Sequence, residues 1–546
     1  MLELEAPARA PRRLRPIVSR ATTVVACLAV WVALVAPNDL DDLTPGGFLR
    51  IPIEGLAMVA LAFVLRPRQR RMAAVLFGVA LGLVVVVKAL DMGFLAVLDR
   101  RFEPLSDWTL FGPGLGVLGD SIGGVGAIGV AVGASLLVVV VLVLLPLAVV
   151  RMTGLVTRHR AVSMRVAVAL TIVWGLAAVT GSPVASSSSS GLVRDVVSQV
   201  RADLADRETF AREIADDAFR NTPDDQLLTA LRGKDVLLVY VESYGRVAVQ
   251  DSAFAPRIQE LLDAGTGRLR AAGYSATTAF LTSPTFGAAS WLAHASLQAG
   301  LWVDSERRYD QLLDAERLTL TDAFGRAGWR TVFDVPANTR DWPEGAAFYG
   351  FDQIYDSRNV GYQGPKFGYA SMPDQYTLAE LRRRELTDDP DRPHVMAEVD
   401  LVSSHHPWTP LPRLVDWDEV GDGSVFDGMP EAGESKGEVF GDPDKVRTAY
   451  GRSIEYSLDT LVSFLETYPD PDLVVVMLGD HQPHTYVTGE DPGHDVPISV
   501  IAHDPAVLDR ISGWGWQEGL RPDPGAPVWR MDAFRDRFLT AFGPRD

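Results

Sequence analysis

Polar residues of the kinds that bind metal ions or transfer protons follow three of the most apolar runs in the sequence. Each run is rich in Val and Leu, and the polar residues come where the run stops. Carboxylate oxygens and imidazole nitrogens are ligands for divalent cations such as Mn2+ or Zn2+. If the runs are strands of one sheet, their ends would bring these side chains to a single site. The residues are Glu242, His405, His406, Asp480 and His481.

A serine stands where a helix should begin in the segment SPTFGAASWLAHASLQAG, residues 283–300. Ser290 fits the role of a helix N-cap, which requires no further chemistry. It also fits a nucleophile, because a helix N-terminus favours phosphate and a nearby metal ion would ease loss of the hydroxyl proton. The alkoxide would attack phosphorus and form a covalent intermediate. Thr285 is the second candidate for this role and Ser243 the third.

The elements that must position these residues have the pattern of an α/β fold. Apolar runs at 235–243, 394–404, 473–480 and 496–502 indicate strands buried on both faces. A helical pattern at 446–468 lies between two of them. Strands that alternate with helices predict an α/β sandwich around a mostly parallel sheet.

The first third of the chain has the pattern of a membrane domain. Five apolar runs each approach the length of about 20 residues that crosses a bilayer. The segments RPRQRR and RMTGLVTRHR are basic and should face the cytoplasm. Five crossings from a cytoplasmic start would place everything after residue 181 outside. The runs are 21–37, 48–65, 72–97, 125–150 and 162–181.

These patterns predict three parts in a multi-pass protein of the cell membrane. Residues 1–181 form a transmembrane domain with five helices, and 182–234 form a Ser-rich linker followed by an amphipathic helix. Residues 235–546 form an extracytoplasmic α/β domain. The formal net charge of −19 argues against a nucleic-acid partner, whose phosphates would be repelled.

The motifs together resemble the alkaline phosphatase superfamily. They are Glu-Ser at 242–243, the helix-opening Ser290, Ser-His-x-Pro at 404–407 and Gly-Asp-His at 479–481. Within that superfamily, the chain is similar to the membrane-bound sulfatase-like group of lipoteichoic acid synthase and the phosphoethanolamine transferases. The resemblance extends to the architecture, with membrane helices ahead of an outer domain of alkaline phosphatase/sulfatase type.

The resemblance implies roles for individual residues. His405 resembles the histidine that contacts the transferred phosphate or the leaving group. The segment NTRDWPEG resembles the one that grips the phosphoryl headgroup, which implies substrate contacts for Arg340 and Trp342. The implied metal ligands are Glu242, Ser290, Asp480 and His481, with Mn2+ or Zn2+ as the ion.

One departure from the sulfatase pattern bears on the reaction. Sulfatases of this superfamily carry a Cys-x-Pro-Ser-Arg signal, but Leu292, Ala293 and His294 stand where Pro-Ser-Arg would follow Ser290. The one cysteine, Cys27, lies in an apolar run near the N-terminus. A plain serine nucleophile favours phosphoester chemistry over sulfate ester hydrolysis.

The resemblance implies a metal-dependent phosphotransferase. It would move a phosphoglycerol or phosphoethanolamine group from a membrane lipid, through a covalent serine intermediate, to an envelope glycan or lipid acceptor. A sulfatase-like phosphodiesterase or sulfuric ester hydrolase, with water as the acceptor, is one alternative. A membrane protein whose outer domain binds a ligand without catalysis is another.

Overall fold

The computed structural model describes residues 14–40, 42–489 and 492–544. Contacts divide the chain into two units, Met1–Asp206 and Arg207–Asp546. The first unit is mostly helical, and the second is built around a large sheet.

Apolar helices make up most of the first unit. Four helices among the described residues are long and apolar enough to cross a membrane, namely Ile17–Val35, Pro67–Leu98, Gly124–Arg158 and Arg160–Val179. The elements in chain order are α1 (Leu14–Val35), β1 (Ile51–Pro52), α2 (Ile53–Val64), α3 (Pro67–Leu98), α4 (Phe111–Ile122), α5 (Gly124–Arg158), α6 (Arg160–Val179), β2 (Ala185–Ser186) and α7 (Ser188–Ala215).

The apolar run at 48–65 forms a shorter helix than its length suggests. The helix α2 has 12 residues, so it is about 18 Å long, whereas the hydrocarbon core is about 30 Å thick. The start of the run is used by a 3₁₀ turn, Pro45–Phe48, and by β1, which pairs in parallel with β2. The described residues therefore contain four helices of membrane-spanning length, where the sequence predicted five.

The Ser-rich segment at 182–191 packs within the first unit. The hydroxyl of Ser189 donates a hydrogen bond of 2.9 Å to the carbonyl of Leu34. The backbone N–H of Ser190 donates one of 2.8 Å to Oε1 of Glu54. The hydroxyl thus satisfies a carbonyl in the last turn of α1, where four carbonyls lack helical partners.

The division between the two units falls inside α7. The last part of that helix packs with the second unit, because Phe210 is buried in a cluster with Leu292. The guanidinium of Arg317 also donates to the carbonyl of Ile214 at 3.2 Å. By contacts, the chain therefore divides after Asp206, within this helix.

A single sheet of nine strands forms the centre of the described part of the second unit. The strands are β3 (Asp235–Val241), β4 (Ser275–Thr282), β5 (Arg330–Val335), β6 (Gln353–Asp356), β7 (Val395–Leu401), β8 (Leu473–Gly479), β9 (Asp495–Ala502), β10 (Gln517–Glu518) and β11 (Val528–Arg530). Their order is β10-β4-β9-β8-β3-β7-β5-β6, and β11 also pairs with β4.

The centre of the sheet is parallel. β8, β3, β7, β5 and β6 run in one direction, while β9 runs antiparallel to both β8 and β4. The four runs predicted as strands form β3, β7, β8 and β9. The prediction of an α/β domain around a mostly parallel sheet is confirmed.

Helices cover both faces of the sheet. Alternate residues of a strand point to opposite faces, so Val239 of β3 packs with one hydrophobic cluster and Leu238 with the other. The helices are α8 (Arg246–Val249), α9 (Ala255–Ala271), α10 (Ser290–Ala299), α11 (Glu306–Leu313), α12 (Leu320–Arg326), α13 (Pro343–Tyr349), α14 (Asp374–Arg384), α15 (Met429–Ala432), α16 (Lys436–Val439), α17 (Pro443–Thr467), α18 (Thr485–Thr488), α19 (Pro505–Ile511) and α20 (Phe534–Phe542). The clusters show α9, α14 and α17 on one face, and α10, α12, α19 and α20 on the other.

Candidate metal centre and active site

Two neighbouring parallel strands bring three predicted metal ligands together. Glu242 follows β3, and Asp480 and His481 follow β8. The two strands pair in register, with Val241 opposite Gly479, so their carboxyl ends meet at one edge of the sheet. The ligand atoms of Glu242, Asp480 and His481 all lie within 4.8 Å of one another.

The two oxygens of Asp480 have different surroundings. Oδ1 accepts hydrogen bonds from the backbone N–H groups of Ser243, at 2.7 Å, and of His481, at 2.8 Å. Oδ2 is buried and has no hydrogen-bond partner. An unsatisfied buried carboxylate oxygen is costly, and a bound cation would remove that cost.

His481 is oriented as a metal ligand. Its Nδ1 lies 2.8 Å from the carbonyl oxygen of Gln482, so Nδ1 donates a hydrogen bond and Nε2 keeps its lone pair. Nε2 lies 3.4 Å from Oε1 of Glu242 and 3.6 Å from Oδ2 of Asp480. These atoms therefore surround one point with two carboxylates and one imidazole nitrogen.

The electrostatics of this cluster also favour a cation. Burial, with a smaller contribution from the Glu242 carboxylate, raises the pKa of Asp480 to about 6. In the described part of the chain, the ion pairs of Glu242 and Asp480 involve His481 and no lysine or arginine. A divalent ion would supply the missing positive charge, so the residues fit the predicted Mn2+ or Zn2+.

Ser290 lies against this cluster at the start of α10. Its Oγ donates a hydrogen bond of 3.0 Å to Oε2 of Glu242 and lies 3.3 Å from Nε2 of His481. The cap position of the helix belongs to Ala289, and no side chain makes a cap hydrogen bond. The interpretation of Ser290 as only a helix N-cap is therefore wrong. Its hydroxyl is directed at the predicted metal ligands.

The other two candidate nucleophiles have different contacts. Ser243 is 5% exposed, and its Oγ donates a hydrogen bond of 2.8 Å to Oε1 of Glu242. Thr285 is buried, and its Oγ1 lies 3.4 Å from Oγ of Ser283. Of the three hydroxyls, that of Ser290 contacts both Glu242 and His481.

Residues with a strained backbone adjoin the predicted site residues. Ser243, Ala289 and Trp408 have φ values of 58°, 66° and 58°. Such values cost residues with a side chain on the order of 1–3 kcal/mol, and they cluster at functional sites. Ser243 follows Glu242, and Ala289 precedes Ser290. A strained residue therefore lies next to Glu242 and next to Ser290 in the chain.

His405 lies in the turn that follows β7. This turn is tied to the metal cluster, because the hydroxyl of Ser404 donates a hydrogen bond of 2.6 Å to the carbonyl of Glu242. Nδ1 of His405 lies 2.6 Å from the carbonyl oxygen of His406. Burial lowers the pKa of His405 to about 4, so the imidazole is neutral at pH 7 with Nε2 as an acceptor.

Tyr369 is a contact of His405 that the sequence patterns do not indicate. The two rings are stacked, with their centroids 3.7 Å apart. Tyr369 lies in a loop next to Gly368, which has a positive φ, and loop residues give no periodic signal in the sequence.

The predicted substrate residues lie beside α13. Arg340 is exposed, and its backbone N–H donates a hydrogen bond to Oδ1 of Asn338. Trp342 is half-buried and packs against Phe333 and Tyr349. Among the described residues, neither side chain contacts Glu242, Asp480 or His481, so the substrate role of Arg340 and Trp342 stays a prediction.

Comparisons with known proteins give matches among solved structures. No family model matches the chain, and no curated protein matches it. The chain is similar to the lipoteichoic acid synthase LtaP from Listeria monocytogenes, with 15% identity, a TM-score of 0.39, and coverage of 61% of this chain and 77% of that chain. For the C-terminal periplasmic domain of EcEptC from Escherichia coli, the identity is 14%, the TM-score 0.36, and the coverage 57% and 82%. The phosphoglycerol transferase GacH from Streptococcus pyogenes, in complex with sn-glycerol-1-phosphate, matches with 13% identity and a TM-score of 0.35. The match covers 63% of this chain and 91% of that chain.

Proposed function

We propose that the second unit is a metal-dependent phosphotransferase that acts on membrane lipids. One observation carries the proposal: Oγ of Ser290 contacts both Glu242 and His481 at the N-terminus of a helix. A nucleophile, a set of metal ligands and a helix dipole that favours a phosphate group meet at this point.

Glu242, Asp480 and His481, together with Oγ of Ser290, would hold the metal ion. A bound Mn2+ or Zn2+ would act as a Lewis acid that favours the deprotonated hydroxyl and the charge on the phosphoryl group. The chain itself orients the hydroxyl, because Glu242 accepts its hydrogen bond and Ala289 fixes the start of the helix.

The reaction has two halves. In the first, a bond forms between Oγ of Ser290 and phosphorus while the bond from phosphorus to the lipid alcohol breaks. The proton of Ser290 ends on the departing alcohol. In the second, the hydroxyl of the acceptor attacks phosphorus, the bond to Oγ breaks, and the proton of the acceptor ends on Ser290. His405 is assigned to contact with the transferred phosphate or the leaving group, because its turn is tied to Glu242 and its neutral Nε2 can accept a hydrogen bond.

The identity of the nucleophile favours a phosphoester substrate. Ser290 lacks the Pro-Ser-Arg residues of the sulfatase signal, and Cys27 is far from it in sequence. We assign Arg340 and Trp342 to the headgroup of the donor, a phosphoglycerol or phosphoethanolamine group. The acceptor would be an envelope glycan or lipid.

The distribution of basic residues supports an extracytoplasmic second unit. RPRQRR, RMTGLVTRHR and the Arg-rich residues 1–20 should all face the cytoplasm. The chain between residues 20 and 66 must then cross and return, although α2 is short. We therefore propose that α2 completes a fifth crossing, which leaves the second unit outside the cell.

Peptide mass spectrometry of the full-length protein tests the function. The full-length protein would be placed in nanodiscs that contain phosphatidylglycerol or phosphatidylethanolamine, with Mn2+ or Zn2+, and digested. A phospho-alcohol adduct on the peptide that contains 283–300 is expected, and Ser290→Ala should lack it. Hydrolysis of the lipid without an acceptor would indicate the phosphodiesterase alternative. The absence of both adduct and hydrolysis would indicate the ligand-binding alternative.

A further inference from the structure

A second group of potential metal ligands lies one helical turn from Ser290. Nδ1 of His294 is 3.1 Å from Oε1 of Glu398 and 3.8 Å from Oδ1 of Asp400. One ligand atom from each of the three residues lies within 4.8 Å of the other two. Residues four apart share a helix face, so His294 and Ser290 lie on the same side of α10.

The two carboxylates stand in a strand that is otherwise apolar. Glu398 and Asp400 are two residues apart in β7, so they point to the same face of the sheet. Their side chains are 3% and 15% exposed, and that of His294 is 11% exposed. Charged groups almost never occupy such positions unless they are paired or bind a metal.

The hydrogen bonds of this group leave one carboxylate oxygen without a partner. Nε2 of Gln298 donates a hydrogen bond to Oε2 of Glu398. Oδ1 of Asp400 is buried and has no hydrogen-bond partner. The ring of Tyr240 stacks on His294 with centroids 3.7 Å apart, which holds the imidazole in place.

Both carboxylates have the same ion-pair partner. In the described residues, the ion pairs of Glu398 and Asp400 involve His294 and no lysine or arginine. The carboxylates of Glu242 and Asp480 are close enough to act on Asp400 electrostatically. Two carboxylates and one imidazole therefore converge within reach of one ion, with two further acidic side chains nearby, which is a donor set that suits a divalent cation.

We propose that His294, Glu398 and Asp400 form a second site for a divalent cation such as Zn2+ or Mn2+. One imidazole and two carboxylates are suitable ligands for these ions. The ligands come from α10 and β7, whereas those of the first site come from the ends of β3 and β8 and from Ser290 at the start of α10, so the two sites share no residue. A cation here would fix the helix that carries Ser290 to the centre of the sheet. The proposal does not depend on the reaction proposed above.

Metal content tests the second site directly. The full-length protein would be stripped with a chelator, dialysed against Zn2+ and then against metal-free buffer, and measured by plasma mass spectrometry. Two ions per chain are expected for the wild type. One is expected for Glu398→Gln with Asp400→Asn, and one for Asp480→Asn. The control Asp374→Asn removes another buried carboxylate and should keep two.

Two results would overturn the proposal. One is a single ion in the wild type with none in Asp480→Asn, which would make the group a metal-free ion pair. The other is two ions in Glu398→Gln with Asp400→Asn, which would place the second ion elsewhere. If that double variant lacks a cooperative melt, His294→Gln takes its place and should hold one ion. Metal content and the covalent adduct are separate readouts, so the second site and the proposed reaction can fail independently.

Discussion

The backbone N–H of Ser243 donates a hydrogen bond of 2.7 Å to Oδ1 of Asp480. This bond ties the end of β3 to the end of β8, and it leaves Oδ2 of Asp480 directed at Glu242 and His481. One carboxylate therefore has two roles, because one oxygen ties the two strand ends together and the other is available to the proposed cation.

Asp480→Asn should separate these two functions. The amide can still accept the backbone hydrogen bonds through its oxygen, but it removes the charge and the oxygen that faces the cation. We expect the thermal transition to stay cooperative while metal affinity falls by at least tenfold, measured by Zn2+ titration of the stripped full-length protein. Asp374→Asn is the matched control. Wild-type affinity in Asp480→Asn would mean that the cation binds without this residue.

Gly479 is required by the same contact between strand ends. A Cβ atom at this position would lie 1.9 Å from the carbonyl oxygen of Tyr244, so Gly479→Ala must displace the backbone beside Glu242 and Asp480. We expect a loss of about 1–3 kcal/mol in the free energy of unfolding, together with weaker metal binding. Gly513→Ala has no atom near its Cβ and is the control. Equal melting temperatures for the two variants would contradict the crowding at Gly479.

The sequence predicts the grouping of the three candidate metal ligands better than the surroundings of that group. Glu242, Asp480 and His481 each follow an apolar run that predicts a strand. The carboxyl ends of parallel strands meet at one edge of a sheet, so the positions of these residues were enough to group them. Glu398 and Asp400 were not predicted as site residues, although two carboxylates in a buried strand need partners. Their partner in α10 is set by how that helix lies on the sheet, and no local pattern records this.

Helix lengths likewise depend on tertiary contacts that local sequence patterns do not reveal. The apolar run at 48–65 has the composition of a membrane span, but Pro45–Phe48 and the pairing of β1 with β2 use its first residues. That pairing joins segments far apart in the sequence, so hydropathy does not reveal it. The start of α10 was predictable because Gly and Ser mark it, whereas the contacts of Ser290 follow from the tertiary structure.

Asp374 should make stability depend on pH in a predictable direction. Burial raises the pKa of its carboxyl to about 6 in the folded protein, above the ordinary value of 3.8, although hydrogen bonds from Ser457 and Ser403 lower it. The folded state therefore binds this proton more tightly than the unfolded state. Its contribution to stability is complete below pH 4 and is lost as the pH rises to about 6. At pH 7 the cost is on the order of 3 kcal/mol.

Asp374→Asn removes this titration while keeping a side chain of the same shape. The variant should gain stability relative to the wild type as the pH rises from 4.5 to 7, measured by thermal melts of the full-length protein at both values. Asp532→Asn, a carboxylate paired with Arg530 near the surface, is the control. A difference in melting temperature between variant and wild type that is independent of pH would show that Asp374 does not titrate in this range.

Reporter fusions would determine whether α2 crosses the membrane. Fusions after residue 70 and after residue 156 should report the cytoplasm, because they follow basic segments. A fusion after residue 190 should report the outside if α2 completes a fifth crossing. Four crossings would place residue 190 in the cytoplasm. A fusion at the C-terminus is the control, since no described helix after residue 190 has membrane-spanning length and apolarity.

Substitution of Ser290 separates its chemistry from its place in the fold. Its hydroxyl bonds to Glu242 and caps no backbone group, so Ser290→Ala should change the melting temperature little. Loss of the nucleophile should lower turnover by orders of magnitude. Ser290→Thr keeps the hydroxyl and should retain part of the activity. Turnover would be measured with bis-p-nitrophenyl phosphate on the full-length protein loaded with Mn2+ or Zn2+.

Two further variants distinguish Ser290 from the other two candidate nucleophiles. Ser243→Ala removes a hydroxyl that also bonds to Glu242, and Thr285→Ala removes the other candidate nucleophile. Both should retain most of the activity if Ser290 attacks phosphorus. Near wild-type turnover in Ser290→Ala, combined with inactivity of Thr285→Ala, would assign the attack to Thr285. The hydrogen bond from Ser290 to Glu242 would then serve only to hold the start of α10 at the edge of the sheet.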